Sequence, residues 1–374
     1  MTNPILKSIL LRTTLPLLLA ITPAARAQTV TTPNASPRGG VSQVIGITMV
    51  AVDYGRPYVN KREVWGKLVP YGFNDLNFGT SKAAPWRAGA NENTTVTFAH
   101  DVKINGSPLA AGAYGLFMAV AEDGTATWIF SKDADAWGSF YYDLARDALR
   151  VATKWEDTPH HEMLTYEFSA ITKNSADLAL SWEKKRFPMT ITVDTDAVVV
   201  ANLKRELANS KSFEYQAWIN ASQYLVQNNL DLNLALEWAE QAIRANFIGQ
   251  RNFATLSNKA QILEKLGRAT EAEPLMQEAL KFGNAGQIHQ YGRRLIAAKK
   301  PQQALAVFKF NAERFPGVWP VNYGLARGYS AVGDYPAALE ALLKAQQNVP
   351  AGDTVNAAAI VTNIEKLKRG EDIN

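Results

Sequence analysis

The stretch Trp86-Arg87-Ala88-Gly89-Ala90-Asn91-Glu92-Asn93-Thr94-Thr95 gathers an aromatic ring, a guanidinium, a carboxylate, amides and hydroxyls around small residues. A tight bend that presents polar groups beside a flat apolar ring is how many small-ligand sites are composed. Glu92 also raises acid–base chemistry. A carboxylate tuned by burial or by a neighbour serves as general acid or nucleophile, and glycoside cleavage needs a second carboxylate several ångströms away. Asp53 and Asp101, from adjoining strands, are the candidates for that partner, so a hydrolase would use Glu92 and Asp101. The competing expectation is that Glu92 pairs with Arg87 or Arg56 and ties a loop to the sheet, since structural ion pairs perturb carboxylates too.

Other chemistry finds less material. His160-His161-Glu162 invites a metal, but neighbouring side chains on a strand face opposite sides, so only His160 and Glu162 could share an ion there. With His100 and His289 the only other histidines and no cysteine in the chain, we expect a surface turn at this point, no metal and no cofactor. There is no Gly-x-Ser-x-Gly elbow and no glycine-rich phosphate loop.

The elements that must position these residues change period midway. Val41 to Tyr54 alternates, with Ile45, Ile47, Met49 and Ala51 on one parity, and Asn105-Gly106 is a tight hairpin signal. Short segments rich in branched and aromatic residues follow at 114–120, 125–131, 149–155, 163–169, 177–182 and 187–193, with one helix expected around Trp137 to Arg146. Strands so closely spaced argue for an antiparallel β-sandwich, with most aromatics inside.

Within this region five landmarks occur in order: Gln43-Val44-Ile45-Gly46-Ile47-Thr48, Tyr54-Gly55-Arg56-Pro57, Trp65-Gly66-Lys67-Leu68-Val69-Pro70-Tyr71, the stretch from Trp86, and Gly112-Ala113-Tyr114-Gly115-Leu116-Phe117. Together they resemble the bacterial domain of unknown function 2911 over roughly Ser36 to Val193. The resemblance implies a β-rich fold and makes Arg56, Trp86, Arg87, Asn91 and Glu92 the matching polar and aromatic positions, hence the ligand-binding candidates. Gly55 stands where a serine is usual, and Gly72 to Pro85 is a longer link into Trp-Arg than the family's.

From about Asp196 the period becomes 3.6, beginning with a connector helix at 197–207 capped by Asp194 or Asp196. Superposing Ala235-Ala239-Ala242, Ala272-Met276-Ala279, Ala304-Phe308-Asn311 and Ala338-Leu342-Ala345 puts the leading alanines 37, 32 and 34 residues apart. This resembles the tetratricopeptide (TPR) repeat, a pair of antiparallel helices in which small residues permit close approach. Gly267 and Gly333 fall where first helices must stop, and Asn356 to Lys368 is expected to cap the array. Such arrays bind extended peptides along their first helices. By repeat position that groove takes Gln261, His289, Arg293, Tyr323 and Arg327, and two arginines can hold a carboxylate by forked hydrogen bonds.

Lys7 and Arg12 precede the apolar run Leu15 to Ile21, and Ala25-Arg26-Ala27 offers small residues to a signal peptidase. Beyond that segment, which holds three of the 39 cations and no anion, 36 cations face 35 acidic residues. The sequence pI thus carries no support for a nucleic-acid partner, and the absence of cysteine excludes disulfides and a lipidated cysteine tether. The organisation expected is a signal peptide at 1–27, a flexible lead-in at 28–40, a β-sandwich at 41–194, a helical connector at 195–212 and an all-α TPR-like solenoid at 213–370. The function expected is binding or scaffolding of a protein or peptide partner in a bacterial periplasm or outside the cell, without a membrane anchor once the signal is removed; the alternative is an envelope hydrolase acting on a glycan or ester.

Overall fold

The structure is a computed structural model that describes residues 32–374, so the signal segment at 1–27 lies outside the described residues. Two compact units divide them, one of residues 32–44 and 49–192 and one of 45–48 and 193–374.

The first unit is a sandwich of two sheets. The larger has the order β1 (Arg38–Ile45), β2 (Thr48–Gly55), β3 (Thr95–Phe98), β6 (Gly112–Val120), β7 (Thr125–Ser131), β8 (Asp147–Lys154). The smaller runs β5 (Ser107–Leu109), β4 (Val102–Ile104), β10 (Ser175–Thr192), β9 (Glu156–Ser169), with antiparallel pairing. Asn105 and Gly106 both have positive φ (47° and 85°) between β4 and β5, the geometry of a two-residue hairpin turn. Val50, Val52 and Tyr54 of β2 and Leu178, Leu180 and Trp182 of β10 are buried. Tyr166 of β9 meets Tyr54 of β2 at 4.7 Å and Trp128 of β7 at 6.3 Å, so aromatic rings fill the space between the sheets.

Several expectations are corrected here. Val41 to Tyr54 is two strands, and its inward parity is that of Val50 and Val52, with Ile47 and Met49 exposed; branched residues on both parities concealed the turn and the face. β1 begins at Arg38, inside the expected lead-in. No α-helix forms at 137–146, only a 3-10 turn at Leu144–Arg146, because Gly138 takes a left-handed φ of 65° and Phe140 and Tyr142 turn to pack on Phe78 and Phe117. The segments read as separate strands at 177–182 and 187–193 form one strand. The charges at 183–186 that separated them are carried by a bulge at Glu183 (φ 55°) and by cross-strand pairs, Lys185 with Asp157 at 2.6 Å and Arg186 with Glu156 at 2.7 Å. His160 and His161 lie on β9, not in a turn, and His160 bonds Glu162 at 3.1 Å.

The second unit begins with α1 (Thr195–Leu207), whose first turn donates to the Asp194 carboxylate, and continues as four helix pairs: α2 (Tyr215–Gln227) with α3 (Leu232–Arg244), α4 (Phe253–Lys265) with α5 (Ala269–Phe282), α6 (Ala285–Ala297) with α7 (Pro301–Arg314), and α8 (Trp319–Ala331) with α9 (Tyr335–Asn348). α10 (Thr354–Lys368) follows α9, and burial of its Ile360, Ile364 and Leu367 against Ala338 and Leu342 covers the last pair. The unit reaches past residue 370, since Ile373 is buried and its amide donates to Ser330 Oγ at 3.1 Å. No helix among the described residues is long and apolar enough to cross a membrane.

All twelve residues superposed by the repeat alignment are buried. The reason is sharpest at Phe308 of α7. A Cβ on Gly292 of α6 would stand 2.6 Å from its ring, and one on Gly324 or Gly328 of α8 would stand 2.9 Å away. Three glycines thus make the space that one aromatic ring fills. Truncating a ring held on so many sides leaves a cavity the backbone cannot close, which costs about 3–5 kcal/mol. Phe308→Ala is therefore expected to lower the urea midpoint of the helical transition followed by circular dichroism, and an unchanged midpoint would contradict this packing.

Candidate functional sites

In the β unit, the Trp86–Thr95 stretch is a loop pinned by its own carbonyls. Ala88 has a φ of 46° and Asn91 of 63°, both left-handed and costly for residues with a Cβ. The Ala88 carbonyl is held by two buried donors, Tyr166 Oη at 3.0 Å and Thr94 Oγ1 at 3.1 Å. Trp86 pairs its backbone with Met118 of β6 in both directions, at 2.8 and 2.9 Å. Gly55 ends β2 so close beneath the loop that a Cβ there would lie 2.1 Å from the Ala90 carbonyl oxygen, and a Cβ on Gly89 would lie 2.4 Å from Thr94 Oγ1. Gly55 is what lets this loop sit flat on the strand end.

The loop borders a cavity of about 330 Å³, within the size range of small-molecule sites. Trp86, Arg87 and Asn91 line it. So do Arg62, Leu68, Asn74, Leu76 and Ala84, which means that the long 72–85 link builds one wall. Trp182 also lines the cavity and stacks on Trp86 at 5.9 Å and 16°, and Trp65 meets both rings edge-on at 5.8 and 6.1 Å. Arg87 donates to the Asn91 carbonyl at 2.6 Å and lies 5.2 Å from the Phe140 ring centroid. Burial lowers its pKa, and among the described residues no carboxylate pairs with it.

Two of the candidate positions lie elsewhere. Arg56 donates to the Leu164 carbonyl at 3.0 Å and to Thr165 Oγ1 at 2.9 Å, tying β2 to β9. Glu92 pairs with Arg38 at 3.8 Å, rather than with Arg87 or Arg56, and the two side chains are 50% and 41% exposed. At such exposure an ion pair contributes about 0–1 kcal/mol. Asp101 accepts from the Ala111 amide at 2.8 Å at the base of the β4–β5 hairpin. Neither Glu92, Asp53 nor Asp101 lines the cavity. Among the described residues, no group of three or more histidine or carboxylate side chains is arranged to hold a metal. The contribution of Arg62 and Trp182 was hidden in the sequence, although the alternation of Leu178, Leu180 and Trp182 marks the tryptophan as inward-facing.

In the helical unit, His289, Arg293, Tyr323 and Arg327 are brought together. His289 of α6 packs edge-on to Phe308 at 5.6 Å, and a Cβ on Gly324 would stand 2.6 Å from its Nδ1, a buried atom with no hydrogen-bond partner. Burial, then the positive charges of Arg293 and Arg327, push its pKa down to about 4. Arg327 lies over the Tyr323 ring at 5.0 Å, and Tyr323 Oη accepts from Asn363 at 2.7 Å. No carboxylate pairs with Arg293 or Arg327 among the described residues. Gln261, on α4, shares a surface hollow with Ser257, Tyr291 and Arg294 instead.

These features define a protein with an antiparallel β-sandwich followed by an all-α, TPR-like solenoid. Residues 36–191, within the β unit, match the model of a family described as "Protein of unknown function (DUF2911)". No curated protein matches the chain. Solved structures similar to part of it include YrrB, described as a TPR protein with an unusual peptide-binding site (23% identity, 44% of this chain and 81% of that one, TM-score 0.29). Others are the C-terminal part of a TPR repeat-containing protein from Cytophaga hutchinsonii (14%, 46% and 66%, 0.35) and a tetratricopeptide repeat protein from Parabacteroides merdae (21%, 41% and 60%, 0.32). The chain thus spans under two thirds of the last two, and the repeat assignment rests on the helix pairs and buried small residues described above.

Two expected outcomes follow from the geometry. Gly55→Ser forces a Cβ into the Ala90 carbonyl and is expected to cost about 1–3 kcal/mol, read as a lower melting temperature of the β unit; an equal melting temperature would refute the close approach. His289 has a folded pKa of about 4, below its ordinary 6.5. The unfolded chain therefore binds the proton more tightly between those values, so this group's contribution to stability is full above about 6.5 and is lost as pH falls towards about 4. An NMR titration that finds the His289 ring protonating near 6.5 would contradict its burial.

Proposed function

We propose that this is an exported binding or scaffolding protein of the bacterial cell envelope whose helical unit holds an extended peptide by an anionic group seated between Arg293 and Arg327. The observation that carries this reading is the pair of carboxylate-free arginines on the first helices of adjacent repeats, both near enough to His289 to add to the effect of its burial. Guanidiniums that no internal acid neutralises offer forked donors to a carboxylate, and the ring of Tyr323 lies beneath the Arg327 guanidinium. Export is supported by the pattern of residues 1–27, and the periplasm by a cysteine-free chain.

An anion seated between the arginines reverses the local charge that depresses His289, so binding is expected to raise the histidine's pKa and to strengthen as pH falls. A fluorescently labelled library of short peptides with free carboxyl termini, paired with the same peptides amidated, tests this by anisotropy. Arg293→Ala with Arg327→Ala is expected to weaken capture by about tenfold or more, which is about 1.4 kcal/mol. Equal binding by the double variant and the parent sinks the groove.

A further inference from the structure

We propose that the cavity beside Trp86 is a second, separate binding site, for a small organic acid in which one carboxylate is joined to a flat apolar body. It is independent of the peptide reading, since all its residues belong to the β unit.

The charge of the cavity selects the ligand's polar end. Of the residues lining it, Arg62 and Arg87 are charged and none is a carboxylate. Arg62 places two of its N–H donors on the Val59 and Tyr58 carbonyls at the exposed rim, where water solvates the rest. Arg87 is different: of five N–H donors one is spent, on the Asn91 carbonyl, while the ring of Phe140 below it and the close approach of Gly138 hold the group in place. A guanidinium that is partly withdrawn from water and left without an anion is costly, and a ligand carboxylate offsets that cost directly. Trp182, 1% exposed, backs this wall, and its indole Nε1 is buried away from the open space.

The walls select the rest. Trp86 and Trp182 lie nearly parallel, and Leu68, Val69, Pro70, Leu76 and Pro85 complete an apolar lining. A planar ring or a short branched chain buries its surface there, whereas a strongly hydrated phosphate dianion meets one guanidinium withdrawn from water, one at the rim and mostly carbon. The volume of about 330 Å³ leaves room for a molecule of phenylpropionate size.

The test titrates the full chain by calorimetry with phenylacetate, 3-phenylpropionate and indole-3-acetate, alongside 3-phenylpropanamide, 3-phenylpropylammonium and inorganic phosphate. At least one carboxylate is expected to bind about tenfold or more tightly than the amide, with the ammonium and phosphate weaker still. Arg87→Met is expected to erase that preference. Since Arg87 also anchors the loop, Leu68→Trp provides a variant at an exposed rim position: it should block binding at an unchanged melting temperature. Glu92→Gln, outside the cavity, should bind as the parent does. No carboxylate binding, equal binding of acid and amide, phosphate binding as tightly as the acids, or undiminished binding in Leu68→Trp each overturns the proposal.

Discussion

The β unit depends on one carbonyl. Ala88 is bent into the left-handed region, and its oxygen is caught between the hydroxyls of Tyr166 and Thr94. Each neutral bond is worth about 1 kcal/mol net, comparable to the cost of the conformation it holds. Everything functional in the loop follows from that point. The residue before Ala88 sends its guanidinium over Phe140, and the residue before that lays its ring on Trp182. The constraint is also why two glycines, Gly55 and Gly89, face the loop where any side chain would strike backbone or hydroxyl.

The helical unit solves a different problem by a related device. Its pairs approach closely because alanines and glycines line the contact, and at Phe308 the omission of three side chains on two neighbouring helices is balanced by one large one. The same ring forms a wall of the His289 pocket. Packing between repeats and the electrostatics of the groove therefore share an atom-level contact: whatever shifts Phe308 changes the burial that keeps His289 neutral.

Periodicity and spacing carried the architecture because they report local geometry. The small residues of the repeats were legible because close approach leaves few alternatives, and Asn105-Gly106 because its turn demands positive φ twice. The site was half legible. Trp86, Arg87 and Asn91 line the cavity, but their neighbours Arg62, Asn74 and Trp182 come from remote segments, and no local signal says which loops converge. Glu92 misled for the opposite reason: sequence adjacency to Arg87 says nothing about which way a left-handed Asn91 turns the chain, and the carboxylate ends beside Arg38 instead. The charged run 183–186 gives no local sign of continuing the strand, because its cross-strand acids, Glu156 and Asp157, lie about thirty residues away.

That ribbon of β9 and β10 has a bearing on how the chain survives outside its folded context. β9 is the outer strand of its sheet, and a 14-residue edge is a template on which a second chain could add itself. Here much of it is interrupted or covered. Pro159 carries no amide donor, the register shifts around Glu183 break the regular ladder, and acids and bases stud the same length. Farther along, Val59 donates to Glu162 and Leu164 donates to Pro57, so the protein's own 57–59 segment already occupies the seat. The device that looks like an interruption in the strand pattern thus leaves less regular edge for a second chain to pair with.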